Sequence, residues 1–421
     1  MFAGHATLDQ TTDAHSTMGA QALNWWQQAR LGLFIHWGPY AELGGTWQDQ
    51  PVRGCAEHIR RTAPIARQTY REMALAWCPD DVEPAAWVDL ARDAGLGYMV
   101  FTSKHHDGFC LWDSPETDFT IARGALGRDI MAELRAAADA ADMPLGWYYS
   151  PRDWDHPDFR GDHGHPDLKA DPDRDQRAHL PRYLACMQTQ CEDLIQRYGP
   201  VATLWFDGQD NDPETAGSDA LLARLRALAP QTLINDRIGH DGYQADYAIC
   251  EGFIPGEAPT RPWETCLSLN YNWGFCHRDH RWCGPQELIR KACETVGNGG
   301  NLLINVGPDG AGRVPQPAVD CLHALGRWMR VHRRALCGTS ALPAPAPELR
   351  YTRDADAIYA LVLHPQSGEL RLPGLWAGMA PRLLGGDSLP WRQDGNDVVV
   401  TLPAIDDGLV RVVELPEGVL S

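Results

Sequence analysis

From about Leu31 to about Gly338, short apolar runs alternate with longer stretches in which apolar residues recur every three or four positions. The short runs are Leu31–Trp37, Tyr98–Ser103, Leu145–Ser150, Ala202–Phe206, Thr232–Asn235, Tyr247–Glu251, Thr265–Leu269 and Asn301–Val306, and each reads as a strand. The longer stretches include Ala86–Ala94, Ile130–Ala141, Pro181–Tyr198, Asp219–Leu228 and Pro285–Val296, and each reads as an amphipathic helix. Strand, helix and strand repeated in this way predict a parallel sheet, and close to eight repeats favour a closed barrel. No convincing helix separates the sixth and seventh strands, so the barrel is expected to be irregular. Pro343-Ala-Pro-Ala-Pro347 reads as a stiff linker. Beyond it the period shortens to alternating runs, Ile358–Leu363, Glu369–Leu372, Val398–Leu402 and Leu409–Leu415, which predict a small antiparallel β-sandwich. The expected organisation is an irregular (β/α)8 barrel over residues 1–340 followed by a β-sandwich over 341–421.

Composition narrows the picture without changing it. A chain of 421 residues suits two domains, and 44% hydrophobic with 22% charged residues is ordinary for a globular protein. A formal net charge of -19 disfavours nucleic acid or an anionic membrane as partner. The first twenty residues carry neither a basic nor an apolar leader segment, and no apolar run approaches the ~18 residues that span a bilayer. The twelve cysteines form no paired framework. A cytoplasmic location is expected, or a periplasmic or secreted one if a leader has been removed. The oligomeric state leaves no trace in the sequence.

Chemistry enters where the strands end. One strand runs into His36-Trp37-Gly38, another into Lys104-His105-His106-Asp107, and a third into Pro151-Arg152-Asp153-Trp154. Others run into Asp207-Gly208, Asn235-Asp236-Arg237 and Glu251. In a parallel α/β barrel these ends form one face, the face that carries active sites. Any one such residue could merely cap the following helix, but six strands delivering His, Asp, Arg and Glu together point to a site. Two carboxylates with Trp and His around them suit glycoside hydrolysis, which needs one carboxylate at the anomeric carbon and one acid on the leaving oxygen. Asp207, walled by Trp205 and Phe206, fits the first role. Glu251, at the end of an apolar strand, fits the second if partial burial raises its pKa. Sixteen tryptophans also suit stacking on sugar faces, although most of them must serve the core.

Five segments resemble glycoside hydrolase family 29, the α-L-fucosidases: Gly32-Leu-Phe-Ile-His-Trp-Gly-Pro-Tyr40, Phe101-Thr-Ser-Lys-His-His-Asp-Gly-Phe109, Leu204-Trp-Phe-Asp-Gly208, Asn235-Asp-Arg237 and Gly300-Asn-Leu-Leu-Ile-Asn-Val-Gly-Pro308. The resemblance spans about Trp25 to Gly338 and implies a barrel with a C-terminal β-sandwich. It implies Asp207 as the nucleophile of a retaining reaction and Glu251 as the acid/base, with Glu264 as the alternative. A retaining pair of carboxyls sits about 5–5.5 Å apart. The resemblance further implies that His36, His105 and His106 hold the fucose hydroxyls, with Tyr149 on the same rim and Glu57 as another sugar contact. Trp205 and Trp273 match aromatic positions near the sugar's methyl group, and Arg237 matches an arginine that keeps Asp207 ionised. His58 departs from the pattern, because many members carry Trp there. The implied substrate is a fucosylated oligosaccharide, and no cofactor or metal is expected.

Other signals carry less. Cys276-His277-Arg-Asp-His280-Arg-Trp-Cys283 does not have the spacing of a zinc site. His105 and His106 are adjacent, and strand neighbours point to opposite faces, so sharing one ion would need an irregular backbone. Gly297-Asn-Gly-Gly-Asn301 lacks the lysine and hydroxyl residue of a phosphate loop. A fucose-binding barrel without catalysis, a metal-dependent hydrolase and a transfucosidase remain the competing functions. The linkage would be read by loops such as Asp158–Arg177 and Gln209–Gly217, whose composition shows no preference.

Overall fold

The structure, a computed structural model, describes residues 7–159, 173–208, 217–239, 242–364, 366–404 and 407–420. Most of the two loops expected to read the linkage, residues 160–172 and 209–216, lies outside the described residues.

The eight expected strands form one parallel sheet: β1 (Leu31–Ile35), β2 (Tyr98–Lys104), β3 (Leu145–Tyr149), β4 (Thr203–Phe206), β5 (Leu233–Ile234), β6 (Ala248–Glu251), β7 (Trp263–Ser268) and β8 (Asn301–Val306). Their order is β5-β4-β3-β2-β1-β8-β7-β6. The sheet curls until its edges meet, and a single bridge between Asn235 and Tyr247 joins the β5 and β6 sides. Asp236 strengthens this seam by accepting from the Ile249 N–H and by pairing with Arg261. Residues 252–262, between β6 and β7, contain no helix, so the expected irregularity is present.

Side chains alternate across each strand. Leu31, Leu33 and Ile35 face the surrounding helices, while Phe34 faces the barrel interior. Leu145, Trp147 and Tyr149 of β3 likewise face outward, and Tyr148 faces in. The interior is filled by Phe34, Tyr98, Val100, Tyr148, Trp205, Tyr247, Cys266 and Leu303. The N-terminal segment becomes a helix, Thr7–Ala29, whose Trp26 packs on Tyr247 at a centroid distance of 4.5 Å. Through Trp26 that helix packs against the lower end of the barrel interior.

The C-terminal region forms a five-stranded and a three-stranded antiparallel sheet. They share one core, in which Ile358, Val362 and Val413 of the first meet Leu372, Val398 and Val400 of the second. The Pro-rich segment is not a linker between domains. The strand Ser340–Leu342 precedes it and pairs antiparallel with Leu349–Arg353, so Pro343–Pro347 is the turn of a hairpin inside the first sheet. Proline is at home there because a turn needs fixed φ and no ladder donor.

Candidate active site

The upper end of the barrel opens into a cavity of about 410 Å³, lined by residues from seven of the eight strands and the turns that follow them, and by the segment around Cys55. Among the expected site residues it brings together His36, His105, His106, Trp205, Asp207, Arg237, Glu251 and Trp273. It also collects Phe34, Cys55, His58, Arg152 and Cys266. The volume lies in the usual range for a small-molecule site.

The segment after β5 shows how backbone order becomes chemistry. Asn235 accepts from the Phe206 N–H and donates to the Phe206 carbonyl, fixing the end of β4 on which Asp207 sits. Asp236 ties the same segment to β6. Between these anchors Arg237 reaches the cavity, where one terminal nitrogen meets Asp207 Oδ1 at 2.6 Å and the other meets Glu251 Oε2 at 2.6 Å. A single planar guanidinium therefore spans both carboxylates, which limits their separation to one fork and two short hydrogen bonds. Gly208 holds φ at +71°, and a Cβ there would meet His106 Cε1 at 2.7 Å. Glycine lets the chain turn away directly behind Asp207 without displacing that ring.

Burial alone would raise the Asp207 carboxyl. Arg237, the Tyr148 hydroxyl and the Gly208 N–H outweigh it and hold the group below the ordinary carboxylate value. Asp207 is thus an anion at neutral pH, aimed into the cavity. Glu251 differs from expectation: its side chain is 40% exposed at the mouth, so burial by the apolar strand is not what it experiences. As the last residue of β6 it stands clear of the packed layer. Its carboxylate is held at the mouth by Arg237.

The histidines are neutral and oriented. Burial pushes His36 down to about 4 and carries His105 and His106 well below their ordinary value. Asn305 donates to Ser268 Oγ and the Trp273 carbonyl, so its Oδ1, 2.7 Å from His36 Nδ1, must accept. Ser150 Oγ donates its one proton to the Arg152 carbonyl and therefore accepts from His106 Nδ1. Both rings carry their proton on Nδ1 and turn a bare Nε2 toward the cavity. Such acceptors suit hydroxyl donors. His105 and His106 both line the cavity, with centroids 4.3 Å apart, because β2 ends at Lys104 after a register shift and the chain beyond is not strand. The alternation argued from an extended strand does not apply there.

Three expected site residues stand elsewhere. Tyr149 is the first correction. It faces outward like Leu145 and Trp147, lies under the Lys104 ammonium and donates to Gln190 Oε1 at 2.7 Å. Its neighbour Tyr148 faces in, stacks on Trp205 and donates to Asp207 Oδ2 at 2.9 Å. The period of two along β3 puts the two tyrosines on opposite faces but does not say which of them faces in. Glu264 is inward but low: it lies four residues before Ser268 at the upper end of β7, which at about 3.3 Å per residue is about 13 Å below the rim. There it accepts from Trp205 Nε1 at 2.8 Å and from the Tyr98 hydroxyl, and it does not line the cavity. Glu57 is fully buried behind the lining and accepts from the Gly274 N–H at 3.0 Å.

The two tyrosines give a test. Tyr148→Phe is expected to lower turnover by about tenfold, one decade being about 1.4 kcal/mol and a hydrogen bond to a charged group being worth that much. It also lets the Asp207 carboxyl rise, moving the acid limb of the pH–rate profile to higher pH. Tyr149→Phe should leave the profile in place and cost only about 1 kcal/mol of stability. Rate profiles of the two variants, with the damage falling on Tyr149→Phe, would reverse the assignment.

Comparison with known proteins agrees with this geometry. The family model for alpha-L-fucosidase matches residues 3–334. The tissue alpha-L-fucosidase of Rattus norvegicus is 28% identical over 97% of this chain and 92% of its own length. Alpha-L-fucosidase isoenzyme 1 from Paenibacillus thiaminolyticus superposes with a TM-score of 0.86 at 31% identity, over 95% of this chain and 99% of that one. An alpha-L-fucosidase from Bacteroides thetaiotaomicron, solved as a trapped covalent intermediate with 2-fluoro-fucosyl fluoride, superposes with a TM-score of 0.84 at 27% identity, over 95% and 96% of the two chains. With its family model matched over most of its length and its polar strand ends gathered round one blind cavity, the chain belongs to the α-L-fucosidases, glycoside hydrolase family 29.

Proposed function

We propose that the protein is an exo-acting retaining α-L-fucosidase that removes terminal α-L-fucose from oligosaccharides or glycoconjugates by double displacement. The observation that carries this reading is the single Arg237 guanidinium spanning an ionised Asp207 inside the cavity and Glu251 at its mouth. In the first step Asp207 attacks the anomeric carbon and the leaving oxygen takes the Glu251 proton, giving a fucosyl ester of Asp207. In the second, Glu251 takes a proton from water, the water oxygen attacks the same carbon from the side of the departed group, and the ester bond breaks to restore Asp207. The covalent intermediate trapped in the Bacteroides relative supports this sequence.

The walls support the sugar. Phe34, Trp205 and Trp273 form an apolar side of the cavity, with the Phe34 and Trp205 centroids 4.9 Å apart. A 6-deoxy sugar places a methyl group where a hydroxylated sugar would bury an unpaired polar group. Below Trp205 the barrel is packed solid, so the cavity is blind and suits a chain end.

The test is hydrolysis of p-nitrophenyl α-L-fucoside followed by proton NMR during the first turnovers. α-L-Fucose as the first product supports double displacement, and β-L-fucose as the first product overturns it. A protein inert on the aryl substrate and on branched natural fucosides, yet binding L-fucose, would be a sugar-binding barrel instead.

A further inference from the structure

Three imidazoles crowd one wall of the cavity. The His58 ring centroid lies 6.0 Å from that of His105 and 5.4 Å from that of His106. One ligand nitrogen from each of the three lies within 4.8 Å of the others. The Ser150 contact leaves the Nε2 lone pair of His106 bare, 3.6 Å from Asp207 Oδ2. His105 Nδ1 is buried and has no hydrogen-bond partner among the described residues. A tryptophan at position 58 would have no lone pair to give; histidine there turns two imidazole donors into three.

We propose that His58, His105 and His106 bind a divalent transition-metal ion, zinc or copper, and that the ion excludes the sugar from the cavity. Three imidazoles with a carboxylate beside them are a donor set that these borderline ions favour over magnesium or calcium. Zinc–nitrogen bonds of 2.0–2.1 Å put nitrogens about 3.4 Å apart in a tetrahedral site, so the rings draw in by about an ångström. Ser150 holds His106 from behind, as outer partners of metal-bound histidines do. Asp207 Oδ2, 3.6 Å from His106 Nε2, stands close enough to serve as a fourth ligand. An ion in this place occupies the acceptor that faces the sugar and engages the carboxylate needed for attack, so it inhibits and is no cofactor. The competition with sugar rests on the fucosidase reading, whereas ion binding does not.

The test uses the full chain after chelator treatment and gel filtration. Zinc chloride is titrated calorimetrically into wild type, His58→Ala and His58→Gln, with folding of each checked by thermal unfolding. One ion per chain is expected, bound at least tenfold more weakly by both variants and in the presence of saturating L-fucose. Zinc should also inhibit fucoside hydrolysis competitively in wild type. Absence of heat at millimolar zinc overturns the site. Binding unchanged by both His58 substitutions overturns it as well and places the ion elsewhere, the Cys276–Cys283 segment being examined next with Cys276→Ser. Zinc that binds through His58 but ignores L-fucose overturns the competition alone. If no fucoside is hydrolysed, the calorimetry still decides the ion site.

Discussion

Replacing Asp207 with glycine should lower hydrolysis of an aryl α-L-fucoside by about 10⁴-fold, and azide should restore turnover. The carboxylate lines the cavity from the end of β4, held ionised by Arg237 and the Tyr148 hydroxyl. Glycine leaves a space of carboxylate size, and azide entering it attacks the anomeric carbon from the same side, giving β-L-fucosyl azide. Glu251→Ala should behave differently. A nitrophenolate needs little help to leave, so the first step suffers less than the second, which loses its base. Azide then attacks the fucosyl ester from the opposite side and gives α-L-fucosyl azide. The anomer of the product, read by NMR, therefore assigns the two carboxylates separately. Formation of α-L-fucosyl azide by a Glu264 variant instead would transfer the acid/base role to Glu264. Recovery of product also shows that each variant is folded.

The second large effect concerns Glu264 as a structural acceptor. Burial raises its carboxyl to about 7, against the hydrogen bonds it accepts from Tyr98 and Trp205. The native state therefore binds a proton that the unfolded chain releases near 4.5, and between these values stability falls as pH rises. The loss is complete above about pH 7 and amounts to about 3 kcal/mol. Glu264→Gln keeps an acceptor for Trp205 and removes the titration, so its urea midpoint should fall less than that of wild type between pH 5 and pH 8. Glu264→Ala leaves two buried donors unpaired beside a cavity and should cost about 3–5 kcal/mol at pH 5. Because Trp205 lines the cavity, the alanine variant should lose turnover too, while the glutamine variant should retain it. Equal pH dependence of the midpoint in wild type and Glu264→Gln would show that the carboxyl does not titrate in this range.

The comparison of sequence with structure turns on particular residues. The eight parallel strands were legible because each is a compact apolar run and the helices between most of them carry the 3.6-residue period. Their polar C-terminal residues were legible as a site because a parallel barrel places all those ends on one face, whatever the loops do. Asp207, Glu251, Arg237, His36 and the two adjacent histidines are all gathered by that rule. The rule does not give height or facing. Tyr149 and Tyr148 are neighbours with the same side chain, and only the phase of the strand against its neighbours decides which of them reaches Asp207. Glu264 and Glu251 both follow apolar residues, yet one sits on the second residue of its strand and the other on the last.

Sequence by itself therefore determined the barrel, the C-terminal sheets and the set of residues available to the site, because these follow from periodicity and from where strands end, while five motif segments carried the resemblance to the family. Tertiary structure alone decided that Arg237 spans two carboxylates and that Tyr148 serves Asp207. It also decided that Glu264 lies below the rim, that the Pro-rich segment turns a hairpin, and that His58 completes a trio of imidazoles. The reason is physical: the site contacts join segments far apart in the chain and the hairpin depends on strand pairing, and neither the register nor the curl of a sheet is written in a local pattern.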